Sequence, residues 1–546
     1  MSSKKIEISE EDVFRLFEKK KRRASIADAA LENIIIPFPG FDSTTFDKDY
    51  WKVLKEEKYG NSYTLYIHTL RVAAELILAY EATREIKYFD KAEEIIYSWI
   101  KHSKTEDDNR MIWYDHTTAH RTQVLIHYLY LAGMLERKVN SSTFKELLTK
   151  HAEVMCDDKI YKHNNHGLMM DRSLIILGYV LEDKNILIKG KTRAVNTFWY
   201  SFSSQGIHLE NSPQYHSMVV RMYNEIENYL AQKDDSLGEH ITNYLNMAKS
   251  YIPIITKPDK YQPSIGDSSH IRQNRQKVYK NIFDKEAGIA VLQYEKPYQL
   301  YTTFIAGYSS RVHKHNDDLS ITLNYKLKDF LVDPGKYSYT SNDIRKYIIS
   351  KEAHSSFYLK HFNYTIKDEN RYSRKVRLEN YYDNQYYTLV SGQNGDYDGS
   401  QAKLTRIVVQ FKNIPLVLLI DRVNSKAKNQ LKMEQNFNLA SNVTVENQGE
   451  ESKLVSEDEE LTIKQFLPTS QKSIIEGSFE GPIAVNTTGF AKVEKTQQIK
   501  FNRATKQKNV FITGIYDERI TGNVNVSIKN TILEVTVKDK TLSVYI

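Results

Sequence analysis

From about residue 9 to residue 252, apolar side chains recur three and four positions apart, the spacing that lines one face of a helix. This period predicts helices near 64–82, 87–103, 118–136, 142–155, 167–181, 187–203, 213–232 and 235–251. The intervals between them are short, which favours antiparallel helical hairpins stacked side by side. No sequence repeat recurs at a fixed spacing, so a toroid made of such hairpins is structural and not written in a motif. The pattern changes around Pro253, Pro258 and Pro263. Beyond Gly266-Asp267-Ser268 and a basic polar stretch, the chain turns to alternating, β-branched segments at 298–304, 321–325, 407–411, 416–420, 461–466, 510–515 and 533–537. Turn residues such as Asn394-Gly395-Asp396 and Asn447-Gln448-Gly449 separate them. The expected organisation is a helical domain over residues 1–255, a linker over 256–285 and an antiparallel β domain over 286–546, with two packed sheets and a smaller terminal one.

Composition narrows the class. The 546 residues are 40% hydrophobic and 27% charged, which fits a folded chain of two or three domains. No apolar run is long enough to span a bilayer, and Ile34-Ile35-Ile36 is cut off by Pro37. The charged start Met1-Ser2-Ser3-Lys4-Lys5 lacks the apolar core of a signal peptide, so a cytoplasmic location is expected, or export if a leader precedes this sequence. Cys156 is the only cysteine; it excludes an intrachain disulfide and a thiolate metal cluster and reads as a buried structural residue. The net charge of +7 is compatible with an anionic partner. The basic run Lys19–Arg23 reads as the solvated end of a helix, not as a nucleic-acid patch. The 38 tyrosines suit the faces of sugars as well as those of bases.

Four constellations carry candidate chemistry. Arg311-Val312-His313-Lys314-His315-Asn316-Asp317-Asp318 leads into a strand, Val332-Asp333-Pro334-Gly335 follows the return strand, and His354 comes one short segment later. Histidine and aspartate at these spacings offer ligands to a metal such as zinc, or a proton carrier beside an acidic substrate; the plain alternative is a hairpin with incidental histidines. In His163-Asn164-Asn165-His166-Gly167, Asn165 reads either as a helix cap or as an amide donor to a carboxylate. In Glu210-Asn211-Ser212-Pro213-Gln214-Tyr215-His216, Ser212 as cap and Pro213 at the first helical position place Tyr215 in the first turn, where the helix field favours a phenolate. The alternative is a tyrosine continuing an apolar stripe. Trp113-Tyr114-Asp115-His116-Thr117-Thr118-Ala119-His120-Arg121 joins an aromatic plate, a carboxylate and a guanidinium, a grip for an anionic sugar or ordinary helix-start chemistry.

Taken in order, Asn165-His166-Gly167, Tyr215 within Asn-Ser-Pro-Gln-Tyr-His, His313-x-His315-x-Asp317, Val332-Asp333-Pro334-Gly335 and Ala353-His354 resemble the heparinase II/III and alginate lyase-like polysaccharide lyases. The resemblance implies an incomplete (α/α) toroid followed by an antiparallel β-sandwich, and β-elimination on a uronic-acid-containing, anionic polysaccharide. It implies that Asn165, with His166 beside it, neutralises the uronate carboxylate, that Tyr215 is the general base and donor to the leaving oxygen, and that His313 is a second acid or base. Trp113, Arg121, Glu210, His216 and Tyr347 are expected along the substrate, Tyr347 also as an alternative proton donor. His315, Asp333 and His354 match the family's metal positions, which implies a structural zinc; Ser355 stands where many relatives have asparagine after this histidine. Two other readings are a glycoside hydrolase using Glu210 and Asp115 as opposed carboxylates, and a catalytically silent carbohydrate-binding or glycan-assembly protein. Neither a nucleic acid nor a membrane is expected as partner.

Overall fold

The computed structural model describes residues 6–18, 21–105, 107–366, 375–469, 471–505 and 508–546. The chain divides into two compact units, one of residues 1–201 and 219–245, the other of residues 202–218 and 246–546.

The first unit is helical. Its successive hairpins pair Arg71–Thr83 with Ile86–His102, Asp115–Met134 with Ser141–Cys156, and Asn165–Val180 with Lys184–Ser201. Ile86–His102 buries the face its period marks, turning Phe89, Ala92, Ile96 and Trp99 fully inward, whereas Asn165–Val180 is buried on nearly every side. The helix expected at 64–82 is broken into Ser62–His68 and Arg71–Thr83, because Leu70 adopts a left-handed φ of +58° between them. Of the basic run, Lys19 and Lys20 lie outside the described residues. Arg23 precedes the helix Ala24–Leu31, and the described chain before the run holds only the short turn Glu10–Asp12, which ends where Val13 becomes extended. The described part of the run, Lys21 to Arg23, therefore leads into a helix.

The second unit is built on antiparallel sheets. A five-stranded meander runs from Ile282–Asp284 to Lys328–Leu331, and an eight-stranded sheet is joined by a four-stranded one in which Phe357–Leu359 pairs with Leu431–Asn438. The strand Ala402–Phe411 shows why the β segments read as nearly continuous apolar runs. Val408 enters one core with Phe437 and Phe501, while Ile407 and Val409 enter a second core with Leu533, Val535 and Val544 of the terminal three-stranded sheet. Both faces of the strand are covered, so both sets of alternating positions are apolar.

Ile207 and the end of the helix Glu239–Ile255, through Tyr251, Ile254 and Ile255, pack on Ile289, Val291, Tyr301 and Ile305 of the meander. The segment Glu210–His216 therefore belongs by packing to the sheet-bearing unit, although it starts a helix. Among the described residues no helix is long and apolar enough to cross a membrane.

Candidate active site

Three loops of the second unit meet through backbone and short polar side-chain hydrogen bonds. Ser212 caps the helix Pro213–Ala231 by accepting from the Tyr215 N–H at 3.3 Å, and its hydroxyl lies 2.7 Å from that of Ser268. Asn211 donates from Nδ2 to the carbonyls of Ser310 (2.7 Å) and Val312 (2.9 Å), and the Asp267 N–H donates to the His313 carbonyl at 3.2 Å. Gly266 lies where these loops cross, at φ +53°; a Cβ there would stand 2.5 Å from the Asn211 oxygen and 2.6 Å from that of His313. His313 and Asn211 both hold left-handed backbone at φ +57°. That conformation costs about 1–2 kcal/mol for a residue with a Cβ, and here the crossing loops impose it.

This frame lays the His313 ring flat on that of Tyr215, with centroids 3.5 Å apart and planes 17° from parallel. The Tyr215 hydroxyl is 2.7 Å from that of Tyr339 and accepts from Lys336 Nζ at 3.1 Å. His313 Nδ1 is 3.2 Å from Asp267 Oδ2 and 3.4 Å from the Tyr339 hydroxyl, and its Nε2 is 3.5 Å from Glu210 Oε2. Arg345 grips Asp267 through both oxygens, at 2.6 and 3.2 Å.

The electrostatics follow from these neighbours. Burial disfavours a charged imidazole at His313, but the hydrogen bonds to Asp267 and Glu210 and the charges of Tyr215 and Glu210 outweigh it and raise its pKa to about 9. Burial likewise opposes a phenolate at Tyr215, yet the charges of His313 and Lys336 and the hydrogen bonds from Tyr339 and Lys336 bring its pKa below the ordinary tyrosine value. Tyr339 moves the other way: burial and the neighbouring Tyr215 and Asp267 raise it, so it remains a donor. Asp267 is buried, but His313, His315 and Arg345 hold it well below the carboxylate range. The arrangement is a tyrosine whose ionisation its surroundings favour, with Lys336 and Tyr339 on its oxygen and the His313 ring stacked on its own.

Other expected residues have different surroundings. His216 accepts from the His208 N–H at 3.1 Å and donates to the Ala248 carbonyl at 2.9 Å; burial takes its pKa down to about 3, so it is a neutral strut between these two backbone groups. Glu210 stands between His313 and His208, whose Nε2 is 3.9 Å away. The Tyr347 hydroxyl accepts from the Ala484 N–H and from Gln498 Nε2, each at 2.8 Å, which anchors it among the β strands. The tyrosine that reaches Tyr215 and His313 is Tyr339. Sequence reasoning missed Tyr339, Lys336, Arg345 and Asp267; the one signal available was that Gly266-Asp267 and Pro334-Gly335-Lys336 are tight-turn sequences.

Asp317, Asp333 and His354 are buried and present ligand atoms within 4.8 Å of one another, a group that can hold a metal ion. Asp317 Oδ2, Asp333 Oδ2, His354 Nε2 and the nearby His315 Nδ1 are buried without a hydrogen-bond partner among the described residues, so a cation would satisfy atoms that protein does not. Imidazole and carboxylate donors fit a borderline divalent ion. The expected set had His315 at the corner that Asp317 occupies. A turn in which the Ser320 N–H bonds the Asp317 carbonyl carries Asp317 inward, while His315 directs Nε2 to Asp267 at 3.1 Å and keeps its ring 5.4 Å from that of His354.

The first unit holds the remaining candidates. Asn164, not Asn165, caps the helix Asn165–Val180 by accepting from the N–H groups of His166 and Gly167, which leaves Asn165 buried in the first turn. Gly167 is required there, since a Cβ would lie 2.0 Å from the Lys162 carbonyl oxygen. His166 Nδ1 is 3.3 Å from Asp115, and its ring is 5.0 Å from that of His116, which in turn bonds His120 at 2.9 Å. Arg121 is 0% exposed, lies over the rings of Trp99 (3.9 Å) and Trp113 (5.1 Å), and donates to His151 and to the His68 carbonyl. Its guanidinium is a strut of the helical core, and Trp113 is the plate it rests against.

Two family models match the sequence, one described as Heparinase II/III N-terminus over residues 4–294 and one as Heparinase II/III-like, C-terminal over residues 283–521. The fold is similar to a crystal structure of heparinase III, with TM-score 0.78, 16% identity and coverage of 99% of this chain and 91% of that one. It is similar to heparan sulfate lyase HepC from Pedobacter heparinus, with TM-score 0.67, 16% identity and coverage of 98% and 91%. Chondroitinase AC lyase is more distant, with TM-score 0.56, 10% identity and coverage of 98% and 88%. No curated protein matches the sequence.

Proposed function

Because the chain belongs to the heparinase II/III family and is a polysaccharide lyase, we propose that it cleaves a uronate-containing glycosaminoglycan by β-elimination with Tyr215 as the proton-transfer group. The observation that carries this reading is the stack of His313 on Tyr215, with Lys336 and Tyr339 on the phenol oxygen. The names of the similar structures, a heparan sulfate lyase and a chondroitinase, support the substrate class.

In the proposed reaction the Tyr215 phenolate removes the C5 proton of the uronate. The electron pair of that C–H bond forms the C4=C5 double bond, the C4–O bond breaks, and the phenol returns its proton to the leaving oxygen. Lys336 and Tyr339 hold the phenolate oxygen, and His313 supplies the positive charge that keeps it ionised. Asn165 and His166 are assigned to the carboxylate: a buried amide and an imidazole are the donors needed where negative charge accumulates as the proton leaves. Asp317, Asp333 and His354, with His315 beside them, would hold a zinc ion. Such an ion would take the second oxygens of Asp317 and Asp333, whose first oxygens are held by Lys314 and His354, and would fix the loop carrying His313.

The test is a screen of heparan sulfate, hyaluronan, chondroitin, alginate and polyglucuronate for the ultraviolet absorbance of a 4,5-unsaturated uronate, with metal content measured alongside. At least one polymer is expected to give the signal with the native protein and none with Tyr215→Phe. Cleavage products without the double bond would overturn the reading.

A further inference from the structure

The Asp267 carboxylate is buried and takes four hydrogen bonds. Arg345 donates twice, at 2.6 and 3.2 Å, His313 Nδ1 approaches Oδ2 at 3.2 Å, and His315 Nε2 approaches Oδ1 at 3.1 Å. The two histidines thus use different oxygens of one group. They also face different chemistry. His313 stacks on Tyr215, whereas His315 keeps Nδ1 buried without a hydrogen-bond partner among the described residues, its ring 5.4 Å from that of His354 in the candidate cation centre. The two-point grip of Arg345 fixes the plane of the carboxylate, so Asp267 cannot turn toward one imidazole without weakening its hold on the other.

We propose that Asp267 is a positioning residue that couples the cation centre to the proton-transfer pair, orienting His315 for the cation and His313 for Tyr215 with one carboxylate. A carboxylate behind an imidazole fixes its tautomer and direction and strengthens it as a ligand. His315, outside the triad, has its buried Nδ1 left to serve as a further donor; a cation that took it would stiffen that ring, and through Asp267 the constraint would reach the ring that lies on Tyr215. Only the kinetic arm of the test rests on the lyase reading.

The experiment compares the native protein, Asp267→Asn and Arg345→Lys. Zinc affinity is measured by chelator competition, and the zinc-induced change in tyrosine absorbance is recorded against Tyr215→Phe as blank. kcat and KM are then measured on whichever uronate polymer is cleaved. Asp267→Asn is expected to weaken zinc about 10–100-fold and lower kcat by a similar factor with KM within about twofold. It should also abolish the zinc-induced Tyr215 signal that the native protein shows. Arg345→Lys, which keeps the charge but loses the fork, should move all three in the same direction by less, and it carries the test if Asp267→Asn does not fold. The proposal is overturned if the native protein binds no zinc, if zinc leaves the Tyr215 absorbance unchanged, or if Asp267→Asn keeps native zinc affinity. It is equally overturned if zinc affinity falls while the Tyr215 signal persists. If no polymer is cleaved the lyase reading fails, and the zinc and absorbance arms still decide the role of Asp267.

Discussion

His116 and His120 in the helical unit and His313 in the sheet-bearing unit are all partly buried, yet desolvation takes the first two far toward the neutral form while His313 rises to about 9. The difference lies in the carboxylates. Next to His116 and His120 the nearby charges are other histidines, Arg172 and Arg71, and Asp115, the close acid among the described residues, is turned to His166 at 3.3 Å. His313 has Asp267 on one nitrogen and Glu210 on the other. The same side chain becomes a neutral hydrogen-bonding group in one place and a fixed cation in the other. The first setting suits donors for a substrate carboxylate, and the second suits support of a phenolate.

Substitutions can break that contrast. The largest effect is expected from Tyr215→Phe, which removes the only group proposed to move the proton and should lower kcat by about 10³-fold or more without lowering the melting temperature. Asn165→Ala should cost about 10²–10³-fold in kcat on the same polymer, as loss of one preorganised donor does. Arg121→Met separates structure from chemistry: it leaves two tryptophan rings and His151 without their partner. It should cost about 2–4 kcal/mol in denaturant unfolding and leave kcat/KM within about twofold where the protein is folded.

The acid side gives a smaller and more general test. His68, His120 and His216 are held by burial near a pKa of about 3, against 6.5 when unperturbed. Between those values the unfolded chain binds protons that the folded protein does not, so stability falls as pH drops through this window, by up to ~1.4 kcal/mol per pH unit for each histidine. Unfolding free energies between pH 7 and 4 check this, and His216→Gln should flatten the slope by about one proton. The smallest effect is expected from Tyr347→Phe, about 1–2 kcal/mol in stability from two unmet donors, with kcat within about twofold.

Much of this was legible in the chain because it is local. The helical period of the first half and the alternation of the second mark the elements to within a few residues, and Ser212-Pro213 announced the turn that presents Tyr215. The ordered set from Asn165 to His354 pointed to the family. What remained hidden depends on contacts between distant loops. Nothing in Leu70, a good helix former, signals a left-handed break. Asp317 stood in the motif beside His315, but only the turn from Asp317 to Ser320 decides which of them enters the triad. Asp267 lies 46 residues before His313 and 78 before Arg345, and no local pattern links three such positions.

The proposed proton transfer requires an ionised Tyr215 supported by the imidazolium of His313. Ultraviolet titration of the native protein minus Tyr215→Phe isolates this phenol from the other tyrosines. A single phenol ionising below the ordinary value near 10, and shifting upward in His313→Gln, is the result expected. A Tyr215 that ionises at or above 10, or that is indifferent to the loss of His313, would contradict it.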